Sequence, residues 1–319
     1  MMNANAGPSS APSPGVAPKL AVVIPTKNRG DQAAQAASAI LRDPSSFELV
    51  VVDQSTNDET ADALKPFADD ARLRIVRSQL RGASVARNLG VAETRAPFIA
   101  FTDDDCRPEP DWASAVMRVF EADPRASLVL GSVHLPEGAH DIGYAASFEP
   151  TQRLLESGIP LPNVSLGIGA NFAIRRDVFE QLGGFDPLLG PGTPHFRAGG
   201  EDTDLLIRAL HHGYRVVNAS ECNVLHLGVR HGADGRSLAV GYQLGTGAAF
   251  GKLVRLTGPS GLKDFARWAT FYAGQIVNDV AHARRPRPGV LCYFVAGALL
   301  TLRYDLDREH SVFRARRHG

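Results

Sequence analysis

The sequence predicts an α/β protein built on a mostly parallel sheet with flanking helices, followed by a helical C-terminal extension. Three observations carry this reading. The runs "LAVVIP" (20–25) and "FELVVVD" (47–53) are short, β-branched and without alternation, as strands buried on both faces are. Strand-like and helix-like segments then alternate with short links, which implies right-handed crossovers and parallel pairing. After Gly235 the spacing becomes helical.

In order, "DQAAQAASAILRD" (31–43) places Ala33, Ala36, Ala37, Ile40 and Leu41 on one helical face. Helix "DETADALKPFA" (58–68), strand "LRIV" (73–76), helix "ASVARNLGVAET" (83–94) and strand "PFIAFT" (97–102) follow. In open sheets of this kind ligands bind beyond the carboxyl ends of the strands. Pro25-Thr26-Lys27, Asp53-Gln54 and Asp103-Asp104-Asp105 all stand at such ends and converge on one edge. From about Ser127 to Asn223 the pattern loosens, with strand "SLVLGSV" (127–133), Gly/Pro-rich loops and helix "EDTDLLIRALHHG" (201–213). The chain divides accordingly into a leader (1–18), a main domain (19–235, halves 19–126 and 127–235) and an extension (236–319).

The bulk numbers narrow the class. The 319 residues suffice for a substantial core, and 44% hydrophobic, 21% charged and zero net charge argue against a general nucleic-acid binder. Cys106, Cys222 and Cys292 are odd in number and far apart, without zinc, redox or disulfide spacing, which fits a reducing cytosol. The start "MMNANAGPSSAPSPGVAPK" lacks the regions of a signal peptide and reads as a disordered leader. Residues 252–319 hold twelve Lys/Arg against five Asp/Glu, so this tail carries +7 and the remainder −7. Its apolar stretch "GVLCYFVAGALLTL" (289–302) has 14 residues, short of the roughly 18–20 that cross a bilayer. An interfacial helix or one packed on the body is expected instead.

Three consecutive aspartates after a buried strand pose the main chemical question. Three carboxylates at a strand end suit a hard divalent cation, Mg²⁺ or Mn²⁺, which can bridge to phosphates. A solvated loop opening helix 109–122 is the alternative, because a helix N-terminus favours acids. A phosphatase with Asp-x-Asp after its first strand is set aside, because that strand here ends in "PTKNR".

Taken together, the ordered motifs resemble the family 2 glycosyltransferases over roughly residues 19–230. "VVIPTKNR" (22–29) looks like the opening strand and nucleotide loop, and "FELVVVDQSTNDET" (47–60) like the second strand. "RGASVARNLGV" (81–91) resembles the basic segment ahead of the metal motif, and "FTDDDCRPEPDW" (101–112) the Asp-x-Asp motif itself. "GANFAIRRDVFEQLGGFD" (169–186) is similar to the acceptor-side segment, "GGEDTDLLIRALHHGYRV" (199–216) to the Glu-Asp motif with the base, and "VLH" (224–226) to a downstream metal histidine.

The resemblance implies a GT-A, Rossmann-like fold. It implies that Asp105 is the main protein ligand of Mg²⁺ or Mn²⁺, with Asp103 nearby on ribose or metal and His226 completing the coordination. Asp202 would be the general base and Glu201 would orient the acceptor, although Glu201, Asp202 and Asp204 would also suit the first turn of a helix. Pro25, Thr26, Arg29, Asp53, Gln54 and Asp104 would border the nucleotide sugar, and Arg81 and Arg87 would face the diphosphate or base. Arg29 stands where many members have an acid, and Gln54 where relatives that read uracil often carry one, which leaves the nucleotide open. Asn171 would touch donor sugar or acceptor, or serve only as a turn residue.

The implied activity is inverting, metal-dependent transfer from a nucleotide-diphosphate sugar to a glycan, lipid-linked or small-molecule acceptor, in cell-envelope glycan synthesis. The expected place is the cytoplasm, with the basic tail as a peripheral contact to the inner face of the plasma membrane or as a homodimer surface. A silent nucleotide-sugar-binding module would have lost Asp105 or Asp202, and neither is lost. A nucleotidyltransferase would want a Gly-rich phosphate loop after the first strand, which "PTKNRGD" is not.

Overall fold

A computed structural model describes residues 17–139, 144–150, 154–155, 167–193, 196, 199–285 and 287–316. Of the expected leader, 1–18, all but the last two residues lie outside this set. In chain order the elements begin with β1 (Leu20–Thr26), α1 (Gly30–Leu41), β2 (Phe47–Asp53), α2 (Glu59–Leu64), β3 (Leu73–Arg77) and α3 (Ala83–Ala92). Next come β4 (Phe98–Phe101), β5 (Cys106–Pro108), α4 (Trp112–Ala122), β6 (Ala126–His134), β7 (Leu154–Leu155), β8 (Phe172–Arg175) and α5 (Arg176–Gln181). The last are α6 (Glu201–His211), β9 (Arg215–His226), α7 (Gly232–Thr257), α8 (Pro259–Ala281), α9 (Gly289–Leu300) and the hairpin β10 (Tyr304–Asp307) and β11 (Val312–Ala315).

The main sheet runs β3-β2-β1-β4-β8-β6-β9-β5, with β7 beside β9. Its first four strands are all parallel, with Thr26 opposite Asp53 and Asp53 opposite Arg77, so their carboxyl ends finish together. Val22–Ile24, Leu49–Val52 and Ile99–Phe101 are wholly buried, as non-alternating runs between two helical layers must be. The second half is mixed: β8 runs antiparallel to β4 and β6, while β6 and β9 are parallel. The expected helices and strands of the first half are present to within three residues at each end, except that α2 stops at Leu64, four residues early, where a 3₁₀ turn, Lys65–Phe67, continues it.

The C-terminal region departs from the expected division. The boundary at 235/236 falls inside α7, and Ala249, Phe250, Leu253, Trp268, Tyr272 and Phe294 belong to the same core as the sheet. Small residues make this possible, since a Cβ on Gly247 or Gly297 would strike the backbone of Phe294 or Leu244, so α7 and α9 meet at backbone contact. The apolar 289–302 stretch is thus a helix packed on the body, and no helix among the described residues is long and apolar enough to cross a membrane. The tail is also not wholly helical. It ends in the β10–β11 hairpin, whose Phe313 is buried against Phe196.

Candidate active site

A cleft of about 390 Å³ opens at the carboxyl edge of the parallel strands. The end of β1 supplies Pro25, Thr26 and Lys27, and the residue after β2 supplies Gln54. The turn after β4 supplies Asp103, Asp104 and Asp105. The lining also includes Glu201 and Asp202 of α6, His226 at the end of β9, and Leu238 and Tyr242 of α7.

The aspartates are met by cations from elsewhere in the chain. Asp104 accepts from Thr26 Oγ1 at 2.8 Å and from Arg29 Nη1 at 2.9 Å. Burial, with Asp105 beside it, nevertheless pushes its carboxyl up to about 6. Asp103 accepts from Arg87 Nη2 at 2.7 Å, and the other arm of that buried guanidinium donates to Glu201 Oε1 at 2.9 Å. Arg87 therefore bridges the two acidic motifs within the lining of the cleft, and both carboxylates hold it charged against its burial. Burial and the adjacent Asp202 push Glu201 up to about 7, opposed by Arg87.

Asp105 is brought to His226 by strand pairing. Antiparallel β5 sets Cys106 opposite His226, and Leu227 N–H donates to the Asp105 carbonyl at 2.8 Å. His226 Nε2 then lies 3.5 Å from Asp105 Oδ1, while its Nδ1 is fixed 3.0 Å from the Ala146 carbonyl. Burial alone would raise Asp105, but His226, Arg29 and Arg230 outweigh it and hold the carboxyl below its usual range. Beside the pair runs Gly228, where a Cβ would strike Asp105 Oδ2 and lie 2.7 Å from His226 Nε2.

These residues fit a divalent ion. Ligand atoms of Asp105, Cys106 and His226 lie within 4.8 Å of one another. Burial pushes the Cys106 thiol well above its ordinary value, and a soft sulfur is in any case a poor donor for a hard ion such as Mg²⁺ or Mn²⁺. A carboxylate and an imidazole remain, in a cradle that only glycine leaves open, and this donor set suits Mn²⁺ or Mg²⁺ completed by phosphate oxygens and water. Asp103 stands outside this cluster, turned to Arg87.

Asp202 sits in the first turn of α6, behind Gly200, which takes a left-handed φ of 93°. Its Oδ2 accepts from Gly169 N–H in the turn ahead of β8 at 2.8 Å and its Oδ1 from Thr203 N–H at 2.6 Å, so it satisfies one helix-end donor and one loop donor while facing the cleft. Two expected residues lie behind the cleft. Asn171 is buried, with its Oδ1 accepting from Trp112 Nε1 and its Nδ2 donating to the Ser132 and Cys222 carbonyls, so its amide serves the fold and not a sugar. Asp53 is fully buried, accepts from Ser55 N–H and has Arg77 3.9 Å away. Gln54 and Arg81 do line the cleft, Gln54 donating to the Gly82 carbonyl at 3.1 Å. Sequence reasoning missed Arg230, 3.8 Å from Asp105 Oδ2, and Leu238 and Tyr242. Their four-residue spacing on a helix soon after His226 was the available signal.

A family model described as Glycosyl transferase family 2 matches residues 21–183, just over half of the chain. The chain belongs to glycosyl transferase family 2. Asp103 and Asp105 lie inside the matched stretch of this family 2 chain, whereas Asp202 and His226 lie beyond it. Glycosyltransferase AglE of Haloferax volcanii is 27% identical over 187 residues, 56% of this chain and 60% of that protein. Succinoglycan biosynthesis protein ExoU of Rhizobium meliloti is 28% identical over 218 residues, 63% and 60% respectively. The chain spans about three-fifths or less of the curated relatives it matches. Among solved structures, mannosyltransferase PcManGT from Pyrobaculum calidifontis, in complex with GDP-Man and Mn²⁺, superposes with a TM-score of 0.59 at 18% identity, covering 92% of this chain and 89% of that one. S. aureus TarS 1-349 in complex with UDP-GlcNAc gives 0.62 at 14%, covering 89% and 83%. At such identities the likeness is one of fold, and the fold is GT-A with added C-terminal helices.

Proposed function

We propose that this family 2 chain is an inverting glycosyltransferase that moves a sugar from a nucleotide-diphosphate donor to an acceptor hydroxyl. The observation that carries the reading is that Asp202 and the Asp105–His226 pair line one cleft. Pro25, Thr26 and Gln54 would border the nucleoside, while Lys27 and Arg81, which make no ion pair among the described residues, would meet the diphosphate. Asp105 and His226 would hold Mg²⁺ or Mn²⁺, which when bound neutralises charge on the departing diphosphate. Asp202, fixed by two backbone N–H groups, takes the proton of the acceptor hydroxyl. The acceptor oxygen bonds to the anomeric carbon as the bond to the diphosphate breaks, and the electron pair leaves on the diphosphate. One displacement inverts the centre and needs no covalent nucleophile. Tyr242, whose phenol is held protonated by burial and by the nearby charges of Asp202 and Glu201, offers the acceptor a hydrogen-bond donor. The succinoglycan relative supports a growing glycan as acceptor. Incubating purified protein with Mn²⁺, an acceptor mixture and a panel of nucleotide sugars, and measuring released nucleotide diphosphate, tests the reading; no release from any donor would contradict it.

The tail is read as a peripheral contact to an anionic membrane face. Val277 and Val280, 68% and 61% exposed, end α8, and Arg284, Arg285 and Arg287 occupy the turn to α9, where Tyr293 is exposed. Each basic residue near anionic lipid adds about 1 kcal/mol. Salt-sensitive flotation with anionic vesicles is expected, and its absence would favour the alternative use of this face, a homodimer or a further packing partner.

A further inference from the structure

On the far side of α6 from the cleft lies a buried charge cluster. Lys252 of α7 is 0% exposed, and its Nζ donates to Asp186 Oδ2 at 2.7 Å and to the Ser311 carbonyl at 2.9 Å. It also stands 2.8 Å from Asp204 Oδ1, in an ion pair not aligned as a hydrogen bond. Asp204 Oδ2 accepts from Arg208 Nε and Nη2 at 3.0 and 2.7 Å, and Arg208 Nη2 donates to the Gly184 carbonyl at 2.9 Å. Asp186 accepts in addition from Leu188 N–H and Phe313 N–H. Two cations and two anions thus balance out of water, where a single unpaired charge would be strongly unfavourable.

The cluster joins the loop after α5, helix α6, helix α7 and the turn of the β10–β11 hairpin. Asp204 stands two residues after Asp202 in the same helical turn, so what fixes one constrains the other. The contact continues along the backbone: a Cβ on Gly200 would strike the Gly245 backbone, which leaves no slack between the start of α6 and α7. We infer that Lys252 is a positioning residue: it pins the first turn of α6 and thereby sets where Asp202 meets the acceptor, which makes the C-terminal helices part of the catalytic unit. This rests on the reading of Asp202 as the base. A shift of about 1 Å remote from the reacting atoms can cost about 10²-fold in rate, which gives the cluster leverage on turnover without contact with substrate.

Two measurements test it. The variant Lys252→Met/Asp204→Asn removes one charge of each sign, so the cluster stays neutral, and the asparagine can still accept from Arg208. Its kcat should fall by about 10–100-fold, while the affinity for UDP or GDP in Mn²⁺, read by calorimetry, stays within about twofold. Unchanged kcat per folded molecule, with only a lower melting temperature, would reduce Lys252 to a stabilising residue and overturn the inference. Native-state hydrogen exchange on the unaltered chain needs no variant. The amides of Thr203 and Asp204 should open only together with those of α7 around Lys252, and their opening alone by small local fluctuations would overturn the inference. A wild-type chain that transfers no sugar would sink the Asp202 reading, whereas the exchange result would still decide whether Lys252 holds the turn.

Discussion

Replacing Gly228 by alanine probes the metal cradle without touching either ligand. The glycine is not in the left-handed region, so alanine adds no backbone strain there. Its methyl would lie 2.7 Å from His226 Nε2, where ordinary contact begins at 3.4 Å, an overlap of 0.7 Å, and it would also run into Asp105 Oδ2. The backbone cannot retreat freely, because Leu227 N–H is bonded to the Asp105 carbonyl at 2.8 Å and His226 Nδ1 is held 3.0 Å from the Ala146 carbonyl. Imidazole and carboxylate must therefore be pushed apart by several tenths of an ångström, beyond the roughly 0.2 Å that a coordination bond tolerates. Displacements of this order around ligands lower metal affinity by about 10–100-fold. Mn²⁺ titration followed by electron paramagnetic resonance, with UDP or GDP present, should show that loss while the thermal unfolding midpoint stays near wild type. Wild-type Mn²⁺ affinity in a folded Gly228→Ala protein would refute the Asp105–His226 site.

Three further outcomes follow from buried polar groups. Arg87→Met strands Asp103 and Glu201 without their shared cation, so urea unfolding should show a loss of about 3–5 kcal/mol; a change under about 1 kcal/mol would contradict the bridging role. Asn171→Ala removes three buried hydrogen bonds and should cost about 2–4 kcal/mol with an unchanged KM for donor, whereas a raised KM in a stable protein would return Asn171 to the substrate. Asp43 accepts from Ser45 N–H and from the N–H and Oγ of Ser114, and these bonds outweigh its burial and lower its pKa. A lowered carboxyl stabilises the fold above the ordinary value of about 4 and loses that contribution as pH falls. Asp43→Asn should therefore destabilise at neutral pH and by little near pH 2, and an equal effect at both would contradict the assignment.

The first half of the fold was legible because β1, β2 and β4 carry their burial in their own composition, and the intervening helices carry theirs in their spacing. The acidic motif was legible for the same reason, as a charged stretch directly after a buried one. What could not be read depends on pairing at a distance. β5 is three residues ending in proline, and it has meaning only as the partner that delivers Asp105 to His226. Arg87 lies on a helix where neither face is marked, and its partners stand 16 and 114 residues away. Asn171 at a strand start looks like a turn or ligand residue, and only the Trp112 indole and two distant carbonyls make it structural. In α7, Gly235, Gly245, Gly247 and Gly251 hide the helix's role, because each allows close approach to backbone that the local sequence does not name.

The most direct test of the proposed chemistry is turnover by Asp202→Asn in Mn²⁺ with the donor that wild type uses, alongside its affinity for the matching nucleotide diphosphate. Asparagine keeps the size of the side chain and one acceptor for the Gly169 or Thr203 N–H, but it cannot take a proton. Transfer should fall by about 10²–10⁴-fold with nucleotide affinity unchanged, because the nucleotide is assigned to other residues of the cleft. Transfer near the wild-type rate would contradict the account, leaving Asp202 as a satisfied residue of a helix end and no base at the site where one is claimed.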